Sequence, residues 1–253
     1  MRRTLKAVVQ YDGTDYLGFQ VQKKGPTVQG ALEQALQQVT QETVRITGAG
    51  RTDSGVHARA QVVSFNSGWT RSLEELQRAW NARLPETIAI QSLDVTADEF
   101  HARRSAKART YRYTIDNRPV RAPLSDRYMW TVTAPLDDAV MHGALQTYVG
   151  VHDFEAFGRP PKTGESTERE VLSARCWREL DRVSVELSAN AFLQGMVRRI
   201  VGALVAVGSG QITARDFEGL LRARDKRRVK WKAAPQGLCL WQVDYDDTAA
   251  DSW

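Results

Sequence analysis

Arg51 and Asp53 stand two residues apart in the stretch GAGRTDSGVHARAQVVSF, Gly48 to Phe65, where a loop with three glycines runs into an apolar strand. Three chemistries suit such a loop: a phosphate cradle, a carboxylate site, or no chemistry beyond a hairpin turn. The glycine spacing G-x-G-x-x-x-x-G matches neither the dinucleotide fingerprint nor the phosphate loop with its Lys-Ser/Thr ending. Both of those motifs also open a helix, whose N-terminus holds the anion, whereas this loop precedes a strand. Asp53 then remains as a lone carboxylate. An Asp in a hairpin loop commonly bonds its own backbone, so spacing alone leaves the turn reading open. Arg51 and His57 favour the chemical one, because nearby cations hold a carboxylate ionised. An ionised Asp can attack a glycosidic carbon without any metal.

Two further features could serve such a carboxylate. Arg198 and Arg199 interrupt an otherwise apolar helical stretch. Such arginines often snorkel to solvent, but a buried Arg198 requires a carboxylate partner, and Asp53 is the expected one. Tyr111 alternates with Tyr113 along a strand in basic surroundings, where aromatic rings on an open sheet face stack nucleobases; for one of the two, a place in the core is expected. The basic runs are HARRSAKARTYR, with Arg103, Arg104, Lys107, Arg109 and Arg112, and RARDKRRVKWK, with seven cations against Asp225. They suit a polyanion, and equally a solvated surface. Metal chemistry finds no support: the four histidines have no ligand spacing with one another or with Cys176 and Cys239. No nucleophilic serine elbow occurs.

The frame for these residues is legible from periodicity. LKAVVQY alternates as a strand, and a helix follows from Thr27, its N-cap, with Val28, Ala31, Leu32, Ala35, Leu36 and Val39 on one side. TVRIT and QVVSF read as strands flanking the Asp53 loop. Ser72 and Glu75 form a capping box for a helix ending at Pro85, and IAIQSLDV is a strand. The second half repeats the order: TYRYTI, a helix from Asp137, VLSARCW and RVSVELS, a helix over FLQGMVRRIVGALVAVG, another from Thr213, and the strand GLCLWQV. Two βαββαβ units suggest an α+β fold of two ferredoxin-like halves, residues 1–101 and 102–253, each with helices on one face of its antiparallel sheet and the other face open; if the sheets join edge to edge, the open faces form a concave surface with a cleft. At 253 residues, 42% hydrophobic and 26% charged, with net charge +5, the chain reads as a globular protein. No apolar run spans a bilayer and no secretory signal is visible. Two cysteines without CxxC spacing fit a reduced, cytoplasmic setting.

The chain resembles the tRNA pseudouridine synthase A family over nearly its whole length. The resemblance rests on YDGTDYLGFQ, TVQGALEQAL, GAGRTDSGVHARAQVVSF, FHARRSAKARTYRYTI, HDFEAF, NAFLQGMVRRIVGAL and GLCLWQVDY, in the family's order. It implies two ferredoxin-like halves joined into a continuous antiparallel sheet with helices on one face and a central basic cleft, and that Asp53 is the nucleophile, that Arg51 fills the space of a flipped base, that Tyr111 contacts the target uracil, and that Arg198 pairs with Asp53. It further implies isomerisation of uridine in the anticodon stem-loop of tRNA, at positions 38–40, by a homodimer that needs no cofactor or metal. Whether Asp53 adds to C1′ or removes a neighbouring proton to give a glycal stays open, as does whether Tyr111 acts as a base.

Phe19 stands where many members carry Trp, GRPPKTGEST replaces a variable loop, and Lys230 and Trp231 fall where smaller residues are common. Two other classes compete with the family reading. A non-catalytic tRNA-binding protein would not need Asp53, and a phosphoryl-transfer enzyme would bind a nucleotide at the glycine loop.

Overall fold

A computed structural model describes residues 2–160 and 164–246. The chain divides into two compact units, Met1–Lys107 with Leu240–Trp253, and Ala108–Cys239. The sequence puts a boundary at 101/102. In the structure the chain from Leu240 onward groups with the first unit. Pro161, Lys162 and Thr163 of the variable loop, and most of the acidic stretch DYDDTAAD, fall outside the described residues.

The first unit runs β1 (Arg3–Tyr11), α1 (Val28–Thr40), β2 (Thr47–Gly48), β3 (His57–Ser67), α2 (Leu73–Asn81) and β4 (Ile88–Val95). Its strands lie in the order β4-β1-β3, antiparallel, with β2 also on β3. Leu5, Ala7, Val9 and Tyr11 are buried on one face of β1 as the alternation requires. Thr27 caps α1 by accepting from Gly30 N–H, and Ser72 caps α2 through Glu75 N–H. Trp80 of α2 is fully buried, sits edge-on to Phe65 at 5.4 Å and donates to the Leu32 carbonyl of α1 at 3.2 Å. One residue thus fixes both helices against the sheet.

The other face of this sheet is not bare, which corrects the expectation of an open surface there. Val62, Ala49 and Ala102 form a small cluster with Val8, Phe100, Val243 and Tyr245 packed against it. The segment that follows β4 is sewn down by Ala102 N–H to Ser64 Oγ and by Tyr245 Oη–H to the Ala102 carbonyl.

A second correction concerns TVRIT. Only Thr47 and Gly48 join the ladder, opposite Ser64 and Val63. The Ile46 N–H donates instead to Glu33 Oε1 and its carbonyl accepts from Gln29 Nε2. Side chains of α1 take the hydrogen bonds that a neighbouring strand would otherwise supply.

The second unit runs β5 (Ala106–Asp116), β6 (Trp130–Thr131), α3 (Asp138–Gln146), β7 (Gly150–Asp153), β8 (Glu168–Glu179), β9 (Arg182–Ala189), α4 (Met196–Gly208) and α5 (Ala214–Ala223). Its strand order is β5-β9-β8-β7, antiparallel throughout, with the two-residue β6 parallel to β5. The last strand, β10 (Leu238–Tyr245), lies beside β3. The α+β class expected from the repeated βαββαβ order is the observed one.

The helix α4 is buried from Ile200 to Gly208 on every side, which its lack of polar residues permits. It begins at Met196, after Gly195 in the left-handed region, so Phe192 and Leu193 precede the helix rather than lie in it. Beneath it, Tyr148 stacks on Phe217 at 4.4 Å and donates to the Phe217 carbonyl. No described helix is long and apolar enough to cross a membrane.

Candidate active site

The loop from Gly50 to Val56 carries Arg51 and Asp53, and it rests on the backbone that follows β1. Phe19 N–H donates to the Thr52 carbonyl at 3.1 Å, and Gly55 N–H donates to Tyr16 O at 3.3 Å. Ser54 Oγ donates to the same Tyr16 carbonyl, and Val56 N–H closes a turn onto Asp53 O. Thr52, buried, shares a hydrogen bond with Tyr11 Oη at 2.9 Å. At the loop's start, the fully buried Gln61 side chain spans Gly50: its Nε2 donates to Gly50 O, and its Oε1 accepts from Gly50 N–H.

Two glycines of the supporting segment let these backbones meet. A Cβ on Gly13 would lie 1.9 Å from Val56 O, and one on Gly18 would lie 2.6 Å from Thr52 O and 3.2 Å from Asp53 C. Gly18 also has φ +100°, a region that side chains disfavour. Where β3 leaves the loop, its register against β1 jumps from Val9↔Gln61 to Tyr11↔Ala58, placing one extra residue in β3. Such a bulge turns the strand end and re-aims what it carries.

His57 has another place than the sequence suggests. It is buried, and its Nδ1 accepts from Gly13 N–H at 3.0 Å. Asp12 Oδ1 is 3.1 Å from the same nitrogen, a contact that becomes an ion pair only on protonation. His57 therefore ties the Asp12–Gly13 turn to β3. Arg51 is exposed, and its side chain makes no hydrogen bond or ion pair among the described residues. Asp53 is half-buried.

In the second unit, Tyr111 is 7% exposed and meets Phe192 edge-to-face at 5.1 Å. It shares a buried side of β5 with Tyr113 and Ile115, so the open-face expectation does not hold for it. Tyr113 is the core tyrosine. It is fully buried, donates to the Ala234 carbonyl at 2.7 Å, and burial pushes its phenol far up, with Arg198 pulling weakly the other way.

Arg198 is half-buried on the first turn of α4. Its Nε donates to Ala233 O at 2.9 Å, and its own carbonyl accepts from Ala233 N–H. The segment 231–234 crosses α4 so closely at Gly202 that a Cβ there would meet the Lys232 and Ala233 nitrogens at 2.8 and 2.9 Å. Arg199 reaches elsewhere, donating to the Phe157 carbonyl.

The basic runs divide. In RARDKRRVKWK, Arg222 pairs with Glu218, Arg224 with Asp153, Lys226 with Glu155 and Arg227 with Asp225. Four of its seven cations thus have acidic partners, as a solvated surface would arrange them. Arg112 holds Glu186 through two hydrogen bonds, and Lys107 pairs with Asp246. Among the described residues, no group of three or more His, Cys, Asp or Glu could hold a metal ion. Sequence reasoning missed Gln61, Gly13, Tyr16 and Gly18. Gln61 carried a signal, since it occupies a core position of an apolar strand.

The family model for tRNA pseudouridine synthase matches residues 7–103 and 144–246, and the chain belongs to that family. It is accordingly an isomerase that converts uridine in tRNA to pseudouridine. Among its curated relatives, the tRNA pseudouridine synthase A of Thermoanaerobacter sp. (strain X514) is 40% identical over 243 residues, 96% of this chain and 100% of that one. That of Roseiflexus castenholzii is 43% identical over 258 residues, 99% and 94% of the two chains. That of Pelobacter propionicus is 40% identical over 243 residues, 96% and 100%.

Proposed function

We propose that the chain isomerises uridines at positions 38–40 in the anticodon stem-loop of tRNA, with Asp53 as the nucleophile. The observation that carries this reading is the seating of Asp53. A half-buried carboxylate sits on a loop whose backbone is pinned on both sides by Tyr16, Phe19 and Gln61. Such fixing holds a reacting group in a near-attack geometry. The target base is stacked in a helical arm and must be extruded, and Arg51, exposed and uncommitted among the described residues, is the side chain to fill the gap.

A carboxylate oxygen of Asp53 bonds to C1′ as the C1′–N1 bond breaks, its electron pair leaving with the uracil. The uracil turns, C5 attacks C1′, and the carboxylate is released. The C5 proton is lost and N1 gains one, so substrate and product are isomers. In the glycal route the same carboxylate first takes the C2′ proton, and a deuterium isotope effect at C2′ marks that route. In this reading Arg198 pairs with Asp53 and orients it, and Tyr111 holds the free uracil. The same reading carries a cytoplasmic homodimer with one tRNA spanning both subunits.

Mapping pseudouridine in tRNA incubated with the protein tests the assignment. New pseudouridine at 38–40 supports it, and modification confined to other positions refutes it. Tyr111→Phe should bind tRNA normally, because the ring and its contact with Phe192 remain, and should turn over about 10²-fold more slowly if the phenol moves a proton. Wild-type turnover would reduce Tyr111 to a stacking role.

A further inference from the structure

We infer that the loop Gln20–Pro26 is a phosphate-binding element that grips the tRNA backbone beside the extruded uridine, through Lys23 and Lys24. This rests on the reading of Asp53 as the site of reaction. Lys23 and Lys24 are the only cations between Asp12 and Val44. Both are exposed, and neither makes an ion pair or hydrogen bond among the described residues. They differ in this from the cations of RARDKRRVKWK that are spent on acidic partners.

The loop is closed at a neck. Leu17 N–H donates to Pro26 O at 2.9 Å, and Val28 N–H and Gln29 N–H donate to the carbonyls of Gly18 and Phe19. Inside the neck, Gln29 Oε1 accepts from Gln20 Nε2 and from Val21 N–H. Gly25, at φ +79°, folds the chain back over Leu17, whose Cδ1 would be 2.5 Å from a Cβ there. The neck is the same backbone that seats the catalytic loop, since Phe19 N–H holds Thr52 O and Gly18 lies against Asp53. Lys24 is two residues from Pro26, a span of about 7 Å at full extension. Charge presented on an arm closed at a neck that adjoins the Asp53 loop fits one ligand, the backbone flanking the target nucleotide. Exposed Leu17 and Val21 beside it offer apolar contact to the sugar faces.

Each phosphate neutralised releases counterions, so the two lysines should add to the salt dependence of tRNA binding. For Lys23→Ala/Lys24→Ala, the slope of log K against log salt should fall in magnitude by about 1.4 to 1.8. KM should rise while turnover at saturating tRNA stays at the wild-type value. Ethylation interference should then lose protected phosphates within the arm that bears the modified uridine. An unchanged slope, or loss of phosphates only in another arm, would overturn the inference. Measuring the slope also in the Asp53→Asn background separates the two readings. Binding by the lysines persists there whatever that carboxylate does, whereas retained activity of Asp53→Asn would refute the nucleophile and leave the slope result standing.

Discussion

Asp53→Asn is expected to lower turnover on tRNA by about 10⁴-fold or more, the scale of losing a nucleophile, with tRNA affinity unchanged. The amide has the carboxylate's shape, and the turn that presents it is made by backbone, Val56 N–H to Asp53 O. The geometry of the loop therefore survives. What is lost is an anionic oxygen able to form and later release a bond to C1′. Release of tritium from tRNA labelled at uridine C5, with binding followed in parallel, measures both sides. Release within tenfold of wild type would refute Asp53 as the nucleophile.

Gly13→Ala is expected to cost about 10²-fold in kcat with little change in KM, the effect of misplacing a reacting group by about an ångström. The added methyl would stand 1.9 Å from Val56 O and 2.6 Å from Val56 C, both backbone atoms with no rotamer to yield. Val56 is hydrogen-bonded to Asp53 O, so the displacement passes into the loop that carries Asp53. Gly219→Ala on α5 is the control. Nothing lies within 4 Å of a Cβ there, so the change should leave kcat alone and stabilise the helix by about 0.5 to 1 kcal/mol. Equal kcat for Gly13→Ala and wild type would show that the loop finds its place without the Asp12–Gly13 turn.

Much of the frame was legible because local signals agreed with the final packing. Thr27 caps α1 where the apolar stripe begins, and Tyr113 and Ile115 are buried where alternation puts them. The misses share a cause. Ile46 looks like strand because its residues favour strand, but Glu33 and Gln29, thirteen and seventeen residues earlier, take its backbone groups. β6 and β7 are too short to show a period. At the site, Arg51 and Asp53 stand out because a motif names them. Gly13, Tyr16 and Gly18 do not, since their work is to admit a backbone some forty residues further along. His57 shows the converse: proximity in sequence suggested a cation for Asp53, while its ring nitrogen is engaged with the Gly13 amide.

The position of β10 beside β3 bears on how the protein is made. The first unit has its helices and three of its long strands once Lys107 has been synthesised, yet Leu240 to Tyr245 arrive only after the whole of Ala108–Cys239. At ribosomal speeds of about 5–20 residues per second, that is a wait on the order of ten seconds. Throughout it, the flank of β3 that receives β10 and the Phe100 ring that Tyr245 covers stand without those partners on the nascent chain. An unpaired strand edge held open that long invites wrong partners. The Asp53 loop, which leads directly into β3, is thus mounted on the part of the fold that is finished last.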